Sequence, residues 1–305
     1  MLQYSIEYAL IKITMKKETI IKLLRRILNQ DIDDIDISYF PYEESKGHYK
    51  NIYKINASDN NIYILKKAKG DELNIYSSIN NMDNHIPYYY GSYHYYNNDY
   101  ILFSYIKGHN AMKMDKDNLF LIIDAIIDVQ KKYWLSPLRF AYTLEEALKK
   151  RYERLSYLPV ELKGVYEQYI DCFKKTPITF SHEDLLPFNV LINKTDVTFI
   201  DLEVGGILPY PTMLCRLISH TSDDKKALFY LDKSLYQEAI SYYYNHFIKD
   251  MGIDYQNYLK TMNLFIYHEL LEWIYVYHKY HYPPNDFYNS YYQKALYKIT
   301  EINNQ

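Results

Sequence analysis

Between Thr179 and Glu203, side chains with oxygen donors recur against an apolar background. Asp184 is followed five positions later by Asn189, and both stand in a loop entering an apolar strand, Val190 to Ile192. After a turn at Asn193 to Asp196, a second apolar strand, Val197 to Ile200, ends on Asp201. So short a turn makes the two strands a hairpin, which brings Asn189 and Asp201 together at its open end. Amide and carboxylate oxygens suit Mg²⁺, a hard cation that commonly takes one or two carboxylates plus phosphate oxygens. A further carboxylate, Asp184, can accept the proton of an attacking hydroxyl. Phosphoryl transfer asks for little more, because its catalysis is mostly positioning and charge neutralisation. Any one of these residues alone reads equally well as a turn cap or a strand end. The set, in this order and at this spacing, argues for the chemistry.

His182-x-Asp184, four residues, Asn189 and then Ile200-Asp201 resembles the catalytic loop and metal-binding aspartate of the kinase fold. Pro187 before Asn189, and Ile200-Asp201-Leu202-Glu203 in place of Asp-Phe-Gly, is similar to the aminoglycoside phosphotransferases and choline kinases. Those usually read His-Gly-Asp-Leu-x-x-x-Asn and Ile-Asp-Trp-Glu. The resemblance implies Asp184 as base and Asn189 and Asp201 as Mg²⁺ ligands, with Glu203 an auxiliary group beside the metal or the substrate. It implies ATP or GTP as phosphoryl donor and a small-molecule hydroxyl as acceptor.

The first third carries matching landmarks. Ile62 to Lys66 reads as a strand ending on a lysine, and Glu72 follows at the start of a helix. In the family such a lysine holds the donor phosphates and pairs with a helix glutamate, which implies Lys66 and Glu72. Lys67 is adjacent, and alternation lets only one of the two point into a cleft. The family's Val-Leu-Lys pattern falls on Lys66. Ser45 to Asn51, with Gly47, stands where a nucleotide-covering loop belongs, although one glycine is a weak motif. Tyr100 to Gly108 resembles the strand into an interlobe hinge, so the backbone of Ser104, Tyr105 and Ile106 is expected along the adenine edge.

On the acceptor side the family's bracing aspartate is missing, its place taken by the stretch Pro211-Thr212-Met213-Leu214-Cys215-Arg216. Glu183 replaces the usual glycine and adds a negative charge beside the base, which would favour a cationic acceptor. Late-helix carboxylates bind ammonium groups in aminoglycoside kinases, and aromatic side chains cage a quaternary ammonium in choline kinases. Glu269, Glu272 and Trp273 fit either image, and equally fit a solvated acidic face over one aromatic stripe.

Positioning these residues needs an α+β chain. Thr19 to Asn29 has helical spacing, 35–67 the texture of two or three antiparallel strands, and Asp71 to Met82 that of one helix. Tyr88 to Tyr95 and Tyr100 to Ile106 form another strand pair, with Asn97-Asn98-Asp99 in the turn. Three helices follow, over 119–135, 144–155 and 160–175, then the β island, then a mostly helical remainder from Pro211. The expectation is a protein-kinase-like two-lobe fold: a nucleotide-binding lobe over 15–107 with an antiparallel sheet, a larger helical catalytic and substrate-binding lobe over 108–305, and an active site between them. Residues 1–14 read as an extension before a second plausible start at Met15.

Composition narrows the rest. The 305 residues carry a net charge of -3, without the basic footprint of a nucleic-acid binder. No apolar run reaches membrane-spanning length, and the N-terminus is no signal peptide. Cys172 and Cys215 have no metal spacing and make no disulfide framework, which points to a reducing cytoplasm. The 39 tyrosines are read as a compositional bias that supplies half-buried rings rather than a binding code. A kinase for choline or a sugar, a spore-coat-associated relative and a catalytically weak scaffold with the same fold stand as alternatives. A protein kinase is disfavoured, because nothing after Asp201 resembles an activation segment.

Overall fold

The structure, a computed structural model, describes residues 15–43, 48–79 and 83–304. The chain divides into two units, Met1–Ile106 and Lys107–Gln305.

The first unit is an antiparallel sheet with a helix on each face. The strands are β1 (Ile35–Glu43), β2 (His48–Ala57), β3 (Ile62–Lys67), β4 (Tyr89–Tyr95) and β5 (Asn98–Ser104), in the order β1-β2-β3-β5-β4. Helix α1 (Lys17–Leu28) buries Ile20, Leu23 and Leu24, the stripe its 3.6-residue period lines up. Asn29 ends it in the left-handed conformation that asparagine tolerates. That stripe packs against Tyr53, Ile55, Tyr63, Leu65 and Leu102. Because strand side chains alternate, Ile64 and Lys66 take the opposite face, toward α2 (Glu72–Ile79). There Tyr76 stacks on Phe103 at 5.3 Å. Covered on both sides, β3 is buried at four consecutive positions instead of alternating.

The hairpin of β4 and β5 is tighter than expected. Tyr95 pairs with Asn98, so Asn98 and Asp99 belong to the strand rather than the turn. Tyr96, at a φ of 45°, supplies the reversal. The expected extension of α2 to Met82 lies outside the described residues.

The second unit is mostly helical around short strands. Its first elements are β6 (His109–Asn110), β7 (Lys113–Met114), α3 (Lys116–Lys132), α4 (Leu144–Tyr157) and α5 (Val160–Lys175). Then come β8 (Ile178–His182), a 3₁₀ turn (Pro187–Asn189), β9 (Val190–Asn193), β10 (Asp196–Phe199) and β11 (Gly205–Pro209). The remainder is α6 (Pro211–Ser219), β12 (Tyr230–Leu231), α7 (Lys233–His246), α8 (Tyr255–Lys279) and α9 (Asp286–Asn303).

Asp115, Thr143 and Asp254 cap α3, α4 and α8 through side-chain bonds to first-turn amides. Each such cap is worth roughly 1 kcal/mol. Helix α3 anchors the β island: the Gln130 carbonyl accepts from Thr179 Oγ1 at 2.7 Å, and Gln130 Nε2 donates to the Tyr210 carbonyl at 2.9 Å. Strand β11, which the sequence reading left out of the island, pairs with β8 so that Gly205 faces His182. Among the described residues no helix is long and apolar enough to cross a membrane.

Candidate active site

The hairpin of β9 and β10 pairs Asn193 with Asp196, leaving only Lys194 and Thr195 in its turn. Its open end is fastened to the loop after β8 by a closed ring of hydrogen bonds. His182 Nε2–H donates to the Ile200 carbonyl at 3.0 Å, and the Ile200 amide donates to the Asn189 carbonyl at 3.0 Å. Asn189 Nδ2 donates to the Asp184 carbonyl at 2.8 Å, and the Asp184 amide donates to His182 Nδ1 at 3.3 Å. A carbonyl only accepts and an amide only donates, so His182 must be neutral with its proton on Nε2. Full burial of the ring points the same way, by pushing its pKa below the ordinary 6.5.

The ring explains why the loop residues take these positions. Asn189 is 2% exposed and spends its amide nitrogen on the backbone, which leaves Oδ1 for a ligand. Asp201, one residue past the ring, sits at a φ of 64°. That left-handed conformation is uncommon outside glycine, is tolerated by aspartate, and gathers at functional sites. Amide and carboxylate oxygens of this kind can hold a hard cation.

Asp184 is held from the other side. Its Oδ1 accepts from Arg216 Nη2 at 2.7 Å, and its side chain is 37% exposed. Arg216 comes from α6, one helical turn beyond Met213. Met213 itself is fully buried. The loop therefore has a brace, an arginine three residues on from where the family's aspartate was expected.

The same guanidinium donates through Nη1 to Glu269 at 3.0 Å and to Glu272. These two stand three residues apart on one face of α8. Burial pushes the Glu269 carboxyl up, but Arg216 and His220 beside it win and hold it at about 2. His220 Nε2 lies 2.9 Å from Arg216 Nη1 and 3.1 Å from Glu269 Oε2. His220, Glu269 and Glu272 bring ligand atoms within 4.8 Å of one another, a spacing a metal ion would accept. The Arg216 charge already serves that cluster.

Glu183 does not display its charge beside Asp184, as the sequence suggested. Arg151 Nη2 donates to it at 2.6 Å, and the Tyr142 hydroxyl donates to its other oxygen. Burial would raise the Glu183 pKa, but these partners lower it. Gly206 makes the arrangement possible, since a Cβ there would lie 2.7 Å from the Tyr142 carbonyl oxygen.

A cavity of about 280 Å³ opens beside Asp184, with Glu203, Arg216, Glu272, Lys150 and Arg154 among its walls. Trp273 is not among them; it is 37% exposed and packs edge-on against Phe287 at 5.3 Å.

In the first unit, Lys66 Nζ donates to Glu72 Oε1 at 2.6 Å, with both side chains buried. Lys67 is half-buried. The amides of Ser104 and Tyr105 donate to the carbonyls of Tyr88 and Ile62, so both are committed to the sheet. Of the three positions expected along an adenine edge, Ile106 alone keeps its amide outside these bonds among the described residues. Gly47 lies outside the described residues.

Sequence reasoning missed Arg216, Arg151, Lys150 and Arg154. One signal was available: a glutamate where the family has glycine needs a counter-charge, although nothing in the sequence singles out Arg151 from Lys149, Lys150 and Arg154.

No family model matches the chain, and comparison with curated protein sequences finds no relative. Solved structures do match. A choline kinase from Cryptosporidium parvum Iowa II superposes with a TM-score of 0.63 at 14% identity, covering 95% of this chain and 97% of that one. The amicoumacin kinase hAmiN, in complex with AMP-PNP, Ca²⁺ and Ami, gives 0.56 at 12% identity, covering 94% and 93%. An aminoglycoside-3'-phosphotransferase of type VIII gives 0.53 at 13% identity, covering 75% and 92%. At these identities the likeness is one of fold: the chain has the kinase-like fold of the aminoglycoside phosphotransferase and choline kinase structures.

Proposed function

We propose that this chain is a small-molecule kinase, moving the terminal phosphoryl group of ATP or GTP to a hydroxyl of a small acceptor. The observation that carries this reading is the hydrogen-bonded ring of His182, Ile200, Asn189 and Asp184. It gathers a partly exposed carboxylate, an amide oxygen and the strand-end Asp201 in one loop cluster beside a cavity. The fold likeness to small-molecule phosphotransferases supports the same reading.

In this reading one carboxylate oxygen of Asp184 stays on Arg216, and the other, Oδ2, accepts the proton of the acceptor hydroxyl. The oxygen pair so freed forms the bond to the terminal phosphorus. The bond from phosphorus to the bridging oxygen breaks, and its electrons leave with the nucleoside diphosphate. Asn189 Oδ1 and the Asp201 carboxylate hold Mg²⁺, which when bound supplies positive charge to the phosphate oxygens. Lys66, kept in place by Glu72, meets the donor phosphates, and the backbone near Ile106 meets the base.

The test is nucleoside diphosphate release from ATP and GTP across a panel of hydroxyl acceptors, with Asp184→Ala in parallel. The variant is expected to lose at least about 10²-fold in turnover, as removal of a general base does, while still binding nucleotide. Full turnover in Asp184→Ala would refute the assigned base. Nucleotide binding with no turnover on any acceptor would favour the scaffold reading.

A further inference from the structure

The cavity beside Asp184 is rich in charge, and most of that charge is already spent. Glu183 is bonded to Arg151 and Tyr142. Asp184, Glu269 and Glu272 all bond one guanidinium, Arg216, whose side chain is 11% exposed. Pulling so buried an arginine away from its carboxylates would strand buried, uncompensated charge. The late-helix carboxylates are thus not waiting for an ammonium group, since Arg216 holds that position from inside the fold. Glu203 stands on the same wall and is not free either.

Two cations on the wall are differently placed. Lys150 and Arg154 are one turn apart on α4 and so share a face. Lys150 is exposed, with Nζ 4.1 Å above the Tyr142 ring. Arg154 is half-buried, 5.5 Å above the Tyr275 ring, and its hydrogen bonds among the described residues go to His268 alone, including the carbonyl at 3.0 Å. Glu269 feels Arg154 at longer range, but its bonds go to Arg216 and His220. Among the described residues neither Lys150 nor Arg154 is ion-paired with a carboxylate. His268 is buried beneath Arg154, and burial together with the nearby arginines holds it neutral. A half-buried guanidinium with donors to spare, facing a cavity, is the residue type that binds carboxylate and phosphate.

We infer that the acceptor carries an anionic oxygen group, a carboxylate or a phosphate, received by Lys150 and Arg154 while its hydroxyl lies at Asp184. This names the acceptor class within the phosphotransferase reading and rests on it. It reverses the expectation of a cationic acceptor, for which Glu183, Glu269 and Glu272 would have had to be available. A cavity of about 280 Å³ suits a single small ring or a short chain.

The experiment measures binding by calorimetry to the full chain held in AMP-PNP and Mg²⁺. Its probes are two open-chain polyol scaffolds with an anionic, neutral or ammonium end: glycerate, glycerol 3-phosphate, glycerol and 3-amino-1,2-propanediol, then gluconate, sorbitol 6-phosphate, sorbitol and 1-amino-1-deoxysorbitol. At least one anionic member should bind more tightly than its neutral and ammonium counterparts. Its affinity should fall about tenfold or more in Lys150→Met and in Arg154→Met, the scale of a lost charge-assisted bond. Lys149→Met, the same charge change on the same helix outside the cavity wall, should leave it unchanged. The carboxylate and phosphate arms tell the two anions apart. Tighter or equal binding of the ammonium members, an equal effect of Lys149→Met, or no binding of any anionic probe overturns the inference. Failure of the kinase reading shows separately, as loss of Mg²⁺-dependent AMP-PNP binding before any probe is added.

Discussion

At the scale of single residues, Arg216 decides how the site is charged. One guanidinium serves Asp184, Glu269 and Glu272. Arg216→Met should therefore destabilise the protein by about 3–5 kcal/mol, the usual cost of stranding a buried charge. Urea denaturation measures this, and Arg216→Met combined with Glu269→Gln should recover part of the loss. The oxygen donors at 184, 189 and 201 were legible because their order and spacing follow from the chemistry. Arg216 was not, because an arginine inside an apolar helix gives no hint of which distant carboxylates it meets. Glu269 and Glu272 stood out in the sequence as late-helix carboxylates. Their occupancy by an internal cation is a tertiary fact that no local pattern holds.

At the scale of elements, the site depends on how closely β11 lets the 142 segment approach. Gly206→Ala would put a Cβ 2.7 Å from the Tyr142 carbonyl oxygen, which must move. Overpacking of this kind costs about 1–3 kcal/mol. The displaced Tyr142 would also loosen Glu183, next to Asp184, so turnover should fall along with the denaturation midpoint. Helix α1 and the β9–β10 hairpin could be read from periodicity and turn residues. Strand β3 could be placed but not its burial, since cover on both faces removes the alternation. Strand β11 escaped because its sequence, Gly205 to Pro209, offers little strand propensity; pairing with β8 makes it a strand. The β4–β5 turn was misplaced by a residue or two because a tyrosine, not an asparagine, takes the positive φ there.

At the scale of the whole molecule, acid should unfold the protein partly through Glu269. Its carboxyl is held at about 2 in the folded chain against an ordinary 4.5. The unfolded chain therefore binds the proton first, so the stabilisation is complete above pH 4.5 and drains away as pH falls toward 2. The contribution is on the order of 3 kcal/mol. Chemical denaturation repeated across this range should show the loss, and Glu269→Gln should flatten it. The order of a sheet-rich first third, a helical remainder and a β island inside it was legible from texture alone, and the two-helix cover of the sheet follows from α1 and α2.

The proposed kinase needs a nucleotide bound through a divalent cation at Asn189 and Asp201. Its most direct test is calorimetric titration of the full chain with AMP-PNP, with and without Mg²⁺, repeated on Asp201→Ala. Binding is expected to tighten sharply with Mg²⁺ in the natural chain and to lose that dependence in Asp201→Ala. Binding indifferent to Mg²⁺, or an undiminished Mg²⁺ response in Asp201→Ala, would contradict it.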